Sequence, residues 1–88
     1  MKEHIPKLVH SGLSGIVSKD NATVEVIIVR LESESKWSLE VLNNAGTSIV
    51  WDDLFDSDDE AYAEFQRTVE EEGMNAFLDN RNVIPLRR

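Results

Sequence analysis

Residues 23–31 (TVEVIIVRL) constrain the fold of this chain more than any other stretch. Six of the nine are β-branched; such side chains are stiff in a helix and fit the pleated surface of a sheet. A strand of this length needs neighbours, and the sequence supplies them. Residues 37–42 (WSLEVL) alternate apolar and polar with the period of a half-buried strand, and 47–51 (TSIVW) follow after a turn. Together these predict an antiparallel meander. Residues 14–18 are expected to add a further strand, hairpinned through Lys19-Asp20-Asn21. Ile5, Leu8, Val9, Leu13, Ile16 and Val17 also fall at helical spacing, but Gly12, Ser14 and Gly15 weaken a helix there.

Because side chains alternate across a sheet, a one-residue slip turns every side chain to the other face. A three-residue loop, Asn44-Ala45-Gly46, with Gly46 in a left-handed conformation, sets Val41 against Ile49 and Leu39 against Trp51. The same matching of apolar with apolar favours a loop over 32–36, which pairs Leu31 with Trp37, Val29 with Leu39 and Ile27 with Val41. The expected core face is then Ile27, Val29, Leu31, Trp37, Leu39, Val41, Ile49 and Trp51. Val24, Val26, Ile28, Leu42 and Val50 fall on the opposite face, where Ile5, Leu8 and Val9, or Val83, Ile84 and Leu86, or a second copy would have to cover them.

Ser57-Asp58-Asp59-Glu60 has the form of a capping box, with the aspartates in the positive first turn of a helix. Ala61, Tyr62, Phe65 and Val69 form its apolar stripe, Gly73 its stop, and Met74, Phe77 and Leu78 a further short turn. The expected fold is therefore α+β: an antiparallel β-meander of three to four strands with a C-terminal α-helix packed on one face. Eighty-eight residues support one core, so the whole chain 1–88 is read as a single domain, with 1–10 and 80–88 as tails. No apolar run approaches the ~20 residues that span a bilayer, and Met1–Lys7 lacks the apolar stretch of a secretory signal, which together suggest a cytoplasmic protein.

The net charge of −8 is unevenly spread. Residues 1–39 are balanced, 40–79 set Arg67 alone against twelve acids, and 80–88 add three arginines. A half so acidic repels phosphate backbones, so direct nucleic-acid binding is not expected. With no cysteine, the chain has no disulfide, thiolate metal site or cysteine nucleophile.

The cluster Asp52, Asp53, Asp56, Asp58, Asp59 and Glu60 lacks the spacing of a calcium loop: counted from Asp56, position six is Ala61 and position twelve Arg67. Helix capping accounts for it better. His4 and His10 lack a spaced third ligand. Gly12-Leu13-Ser14-Gly15 falls short of a nucleophile elbow because Ile16 stands where the second glycine belongs. Trp37 and Trp51 fit a core better than an aromatic platform. Neither a cofactor nor a metal is expected.

Glu70, Glu71 and Glu72 stand in the last helical turn, against the negative end of the dipole, and with Glu64 they form the candidate surface for a basic protein partner. The expected function is that of a non-enzymatic interaction or regulatory module, as a monomer ahead of a homodimer. The alternatives are a nucleic-acid mimic that inhibits a basic DNA- or RNA-binding protein, and a small enzyme or metal-binding protein using His4 and His10.

Overall fold

The computed structural model describes residues 7–77, which form a five-stranded antiparallel sheet with one helix across one face. The strands are β1 (Leu8–His10), β2 (Gly15–Lys19), β3 (Ala22–Leu31), β4 (Ser38–Asn43) and β5 (Ser48–Val50). Helix α1 (Asp58–Glu72) follows, then a 3-10 turn over Met74–Phe77. β3 is the spine, with β4 on one edge followed by β5, while β1 and β2 share the other edge end to end. Ile5, His4, Val83, Ile84, Leu86 and the 80–88 tail lie outside the described residues.

The first strands are extended, against the helical spacing also present there. Between them, Ser11–Ser14 form an insertion in which four residues stand opposite two, Ile27 and Ile28. Ser14 repairs the interrupted ladder with its side chain: its Oγ accepts from the Ile28 amide at 3.0 Å and donates to the Ile28 carbonyl at 3.2 Å. Ser11 is buried, and its Oγ accepts from the Leu13 amide and donates to Asp58 Oδ2 at 2.8 Å. β2 then returns into β3 through Asp20-Asn21, whose φ values of 53° and 65° are those of a two-residue type I′ turn.

At the β4–β5 hairpin the structure follows the expectation. Val41 pairs with Ile49, the Asn43 amide donates to the Thr47 carbonyl across Asn44-Ala45-Gly46, and Gly46 has φ of 90°. Leu39, Val41, Ile49 and Trp51 are buried as expected, and Trp37 is half-buried against them.

β3 is the correction. It is displaced by one residue against β4, pairing Val26 with Val41, Ile28 with Leu39 and Val29 with Ser38. Ala22, Val24, Val26 and Ile28 therefore fill the core, while Ile27, Val29 and Leu31 lie on the other face. The reason lies in 26–29, which are apolar at every position, so that either register matches apolar with apolar. Polar residues break the tie, since Thr23 and Glu25 must face water and Ile27, Val29 and Leu31 share their side. The β3–β4 connection fixes the result. Arg30 places its guanidinium 5.1 Å from the Trp37 ring and donates to the carbonyls of Leu31, Glu32 and Glu34.

α1 closes the core face. Ser57 caps it, accepting from the Glu60 amide at 3.1 Å, and Gly73 ends it at φ of 80°, where its amide donates to the Val69 carbonyl. Ala61, Phe65 and Thr68 are buried against the sheet. Thr68 takes a place usually apolar because its hydroxyl donates to the Glu64 carbonyl one turn back. Phe77 lies between Trp51 and Phe65 at ring separations of 6.2 and 5.5 Å, so the 3-10 turn extends the same core.

Candidate interaction surface

The two faces of the sheet differ in what covers them. Residues paired across an antiparallel sheet share a face, so the pairings place Leu8, Ile16, Ile27, Val29, Leu31, Leu42 and Val50 together on the side away from α1. No described element packs over them. Ile16 is 67% exposed, Leu8 53%, Val50 47% and Leu31 40%, high values for apolar side chains carried on strands. Leu54, 53% exposed, extends the surface beside Leu8 and Leu31. A contiguous apolar surface of this kind is a mark of contact with something else.

Polar residues are interleaved with these apolar side chains: the same pairings put His10, Ser18, Thr23, Glu25, Ser38, Glu40 and Ser48 on this face. Glu25 and Glu40 are its acids, with Glu40 accepting from Ser48 Oγ at 2.7 Å. Shallow hollows lie at either end. One, of about 180 Å³, is lined by Ile16, Thr23, Glu25, Leu42 and Asn44. The other, of about 190 Å³, is lined by Leu8, Val29, Leu31, Lys36 and Leu54. Beside the second hollow, Lys36 Nζ donates to Asp56 Oδ1 at 2.6 Å. That hydrogen bond, and secondly the Coulomb attraction, lower the Asp56 pKa below its ordinary value and raise that of Lys36. The same corner is tied down by a two-way backbone bridge between Trp37 and Phe55, at 2.8 and 2.9 Å.

The acids of α1 divide into two kinds. Glu64 is a structural link: its side chain is 11% exposed, accepts from Trp51 Nε1 at 3.1 Å and binds Arg67 with both oxygens at 2.6 Å. Glu71 also holds Arg67, at 2.9 Å, and the hydrogen bonds from Glu64 and then Glu71 raise the arginine's pKa. Glu70, Glu71 and Glu72 are exposed at the helix end. The structure thus separates Glu64 from the other three by burial, though all four lie on one helix.

The remaining candidate groups have structural roles. Asp58 accepts from Ser11, Asp56 is paired with Lys36, and Asp58, Asp59 and Glu60 occupy the first helical turn. Ser14 is engaged with the β3 backbone. His10 is exposed on β1, and among the described residues no group of three or more His, Asp or Glu side chains converges. Nor, among them, is any helix long and apolar enough to cross a membrane. Sequence matching passed over Leu8, Ile16, Ile27, Val29 and Leu31 as members of one open surface; the Thr23–Glu25 alternation was the signal that places three of them there. In comparison with known proteins, the chain matches no family model, no curated protein and no solved structure.

Proposed function

We propose that this protein is a non-enzymatic interaction module whose open sheet face receives an apolar, basic segment of a protein partner. The observation that supports it is the exposure of Leu8, Ile16, Leu31 and Val50 on one continuous face whose charged residues include Glu25 and Glu40. Fully burying one such side chain is worth about 1.5–3 kcal/mol, so covering several half-exposed ones supplies several kcal/mol towards association. Charge selects the partner. Residues 7–77 carry five Lys/Arg against fifteen Asp/Glu, a net −10, which favours encounter with a basic partner and disfavours an acidic one. Glu70, Glu71 and Glu72 contribute to this field from the far side.

The test uses two substitutions at exposed positions, Ile16→Glu and Val50→Glu, in the full-length chain. Each sets a new carboxylate across the ladder from an acid, Glu25 and Glu40 respectively, and is expected to cost up to about 1 kcal/mol, so capture is compared well below the thermal midpoint of the variants. The double variant should lose the salt-sensitive partner that the wild type captures, whereas Glu70→Gln with Glu72→Gln should only weaken its salt dependence. Equal capture by the wild type and the double variant would remove the open face from the function. A nucleic-acid mimic would instead release DNA from the captured partner in a salt-dependent manner, with Ile16→Glu and Val50→Glu as effective as the wild type.

A further inference from the structure

We infer that the open sheet face is also the docking site of the chain's own residues 78–88, which a partner segment must displace; this rests on the reading of that face as a binding surface. Three observations lead to it. The first is where the described chain stops. The Phe77 carbonyl accepts from Asn43 Nδ2 at 2.9 Å, and Asn43, the last residue of β4, lines the hollow formed with Ile16, Thr23, Glu25 and Leu42. Asn43 is buried on the core side, opposite Val24, so the described chain stops at this end of the sheet on the side of α1, next to the end strands that border the hollow.

The second is reach. Residues 78–88 number eleven, and a chain can extend by roughly 3.3–3.6 Å per residue, or about 36–40 Å in all. The open face along β3, from Thr23 to Leu31, is eight residue steps long, about 27 Å at ~3.4 Å per step. The segment is therefore longer than the face by about 9–13 Å, which allows it to pass round the end of the sheet from the α1 side before running along the face.

The third is chemistry. The segment (LDNRNVIPLRR) offers Val83, Ile84 and Leu86 to an apolar face and sets three arginines against one aspartate. It has the sign of charge opposite to that of residues 7–77, and Glu25 and Glu40 lie on the face it would cross. A second copy fits less well, because it brings two chains of net charge −8 together. Tethering adds to the advantage, since a segment joined to its site has an effective concentration in the millimolar range.

The docked segment shields the face until a partner of the same chemistry competes for it. Because the chain has no cysteine, a single nitroxide can be placed by Asn82→Cys in the full-length protein. The expected result is strong paramagnetic broadening of the Val29, Leu42 and Val50 methyl signals, with the Ala63 methyl on the outer side of α1 little affected. That gradient should survive tenfold dilution, and Ile84→Glu should abolish it. Broadening that is uniform across both sides would overturn the docking. So would a gradient seen only when a spin-labelled chain is mixed with a separate isotope-labelled chain, because the segment would then come from a second copy. Partner capture gives the separate readout. A lost gradient with capture still sensitive to Val50→Glu defeats the docking alone, and a retained gradient with capture insensitive to Val50→Glu defeats the partner reading alone.

Discussion

Ile27 and Ile28 are adjacent on the same strand and chemically identical, yet they have opposite surroundings. Ile28 is fully buried beside Leu39, with α1 closing the face above; Ile27 lies on the open face, opposite Glu40. Hydrophobicity alone therefore does not decide which side of this sheet becomes the core. The decision is made by the covering element: α1 brings Ala61 and Phe65, and the following turn brings Met74 and Phe77, to one side only. The other side keeps an apolar surface that costs free energy in water.

The comparison breaks most readily at these two isoleucines. Ile28→Ala should destabilise the protein by about 2–5 kcal/mol, since it removes buried methyl groups and leaves a cavity in close-packed surroundings. Ile27→Ala should cost about 1 kcal/mol or less, because its side chain is only partly withdrawn from water. Urea denaturation of the two variants measures the difference directly. Equal losses, or a larger loss at Ile27, would show that β3 presents the other side to the helix.

Ser14 offers a smaller test, of what keeps β3 in place along its outer edge. Its hydroxyl stands in for a strand partner at the Ile28 amide, where the Ser11–Ser14 insertion interrupts the ladder, and adds a second donor at the Ile28 carbonyl, which also accepts from the Ser11 amide at 2.9 Å. Ser14→Ala leaves that amide without this acceptor and should cost about 1–3 kcal/mol. Hydrogen exchange at the Ile28 amide should quicken by more than exchange at Val26, which β2 flanks at Gly15. Unchanged exchange at Ile28 would mean that the backbone supplies another acceptor.

These two elements also show what could be read from residue order. The Gly46 turn, the Ser57 cap and the Gly73 stop are local: each depends on one residue type at one backbone conformation, and each was legible. The β3 register was not, because Val26, Ile27, Ile28 and Val29 satisfy a pairwise apolar match in either phase, and the deciding polarity sits further along at Thr23 and Glu25. The Ser11–Ser14 insertion was harder still, since nothing in Ser-Gly-Leu-Ser announces that a hydroxyl will replace a backbone partner from fourteen residues away. The acidic helix end was visible in the sequence, but the burial of Glu64 beneath Arg67 and Trp51 follows only once the helix is laid on the sheet. The open surface depended on the register, and so was legible only for Leu42 and Val50.

The smallest expected effect lies where the two sides meet, at the Lys36–Asp56 pair beside the Leu8–Leu31 end of the open face. Hydrogen bonding to Lys36, more than Coulomb attraction, depresses the Asp56 pKa below 3.8, and the same bond raises Lys36 above 10.5. The sign follows from linkage. The carboxylate's contribution to stability is present above the unfolded-state pKa and is lost as pH falls through the depressed folded-state value. The ammonium's contribution is present below its unfolded-state pKa and is lost as pH rises through the raised one. Neutral pH lies inside both limits, yet the side chains are 52% and 73% exposed, so solvent screens the attraction and the pair should contribute little to global stability. Lys36→Gln should therefore raise the Asp56 titration midpoint, read from its carboxyl NMR signal, while leaving the thermal midpoint at neutral pH nearly unchanged. A marked fall in the thermal midpoint would make this corner, and with it the Trp37–Phe55 bridge, a structural part of the core rather than the rim of an open face. An Asp56 midpoint that does not move would mean that the pair does not form in solution, and that the hollow lined by Leu8, Leu31 and Lys36 is wider than the structure shows.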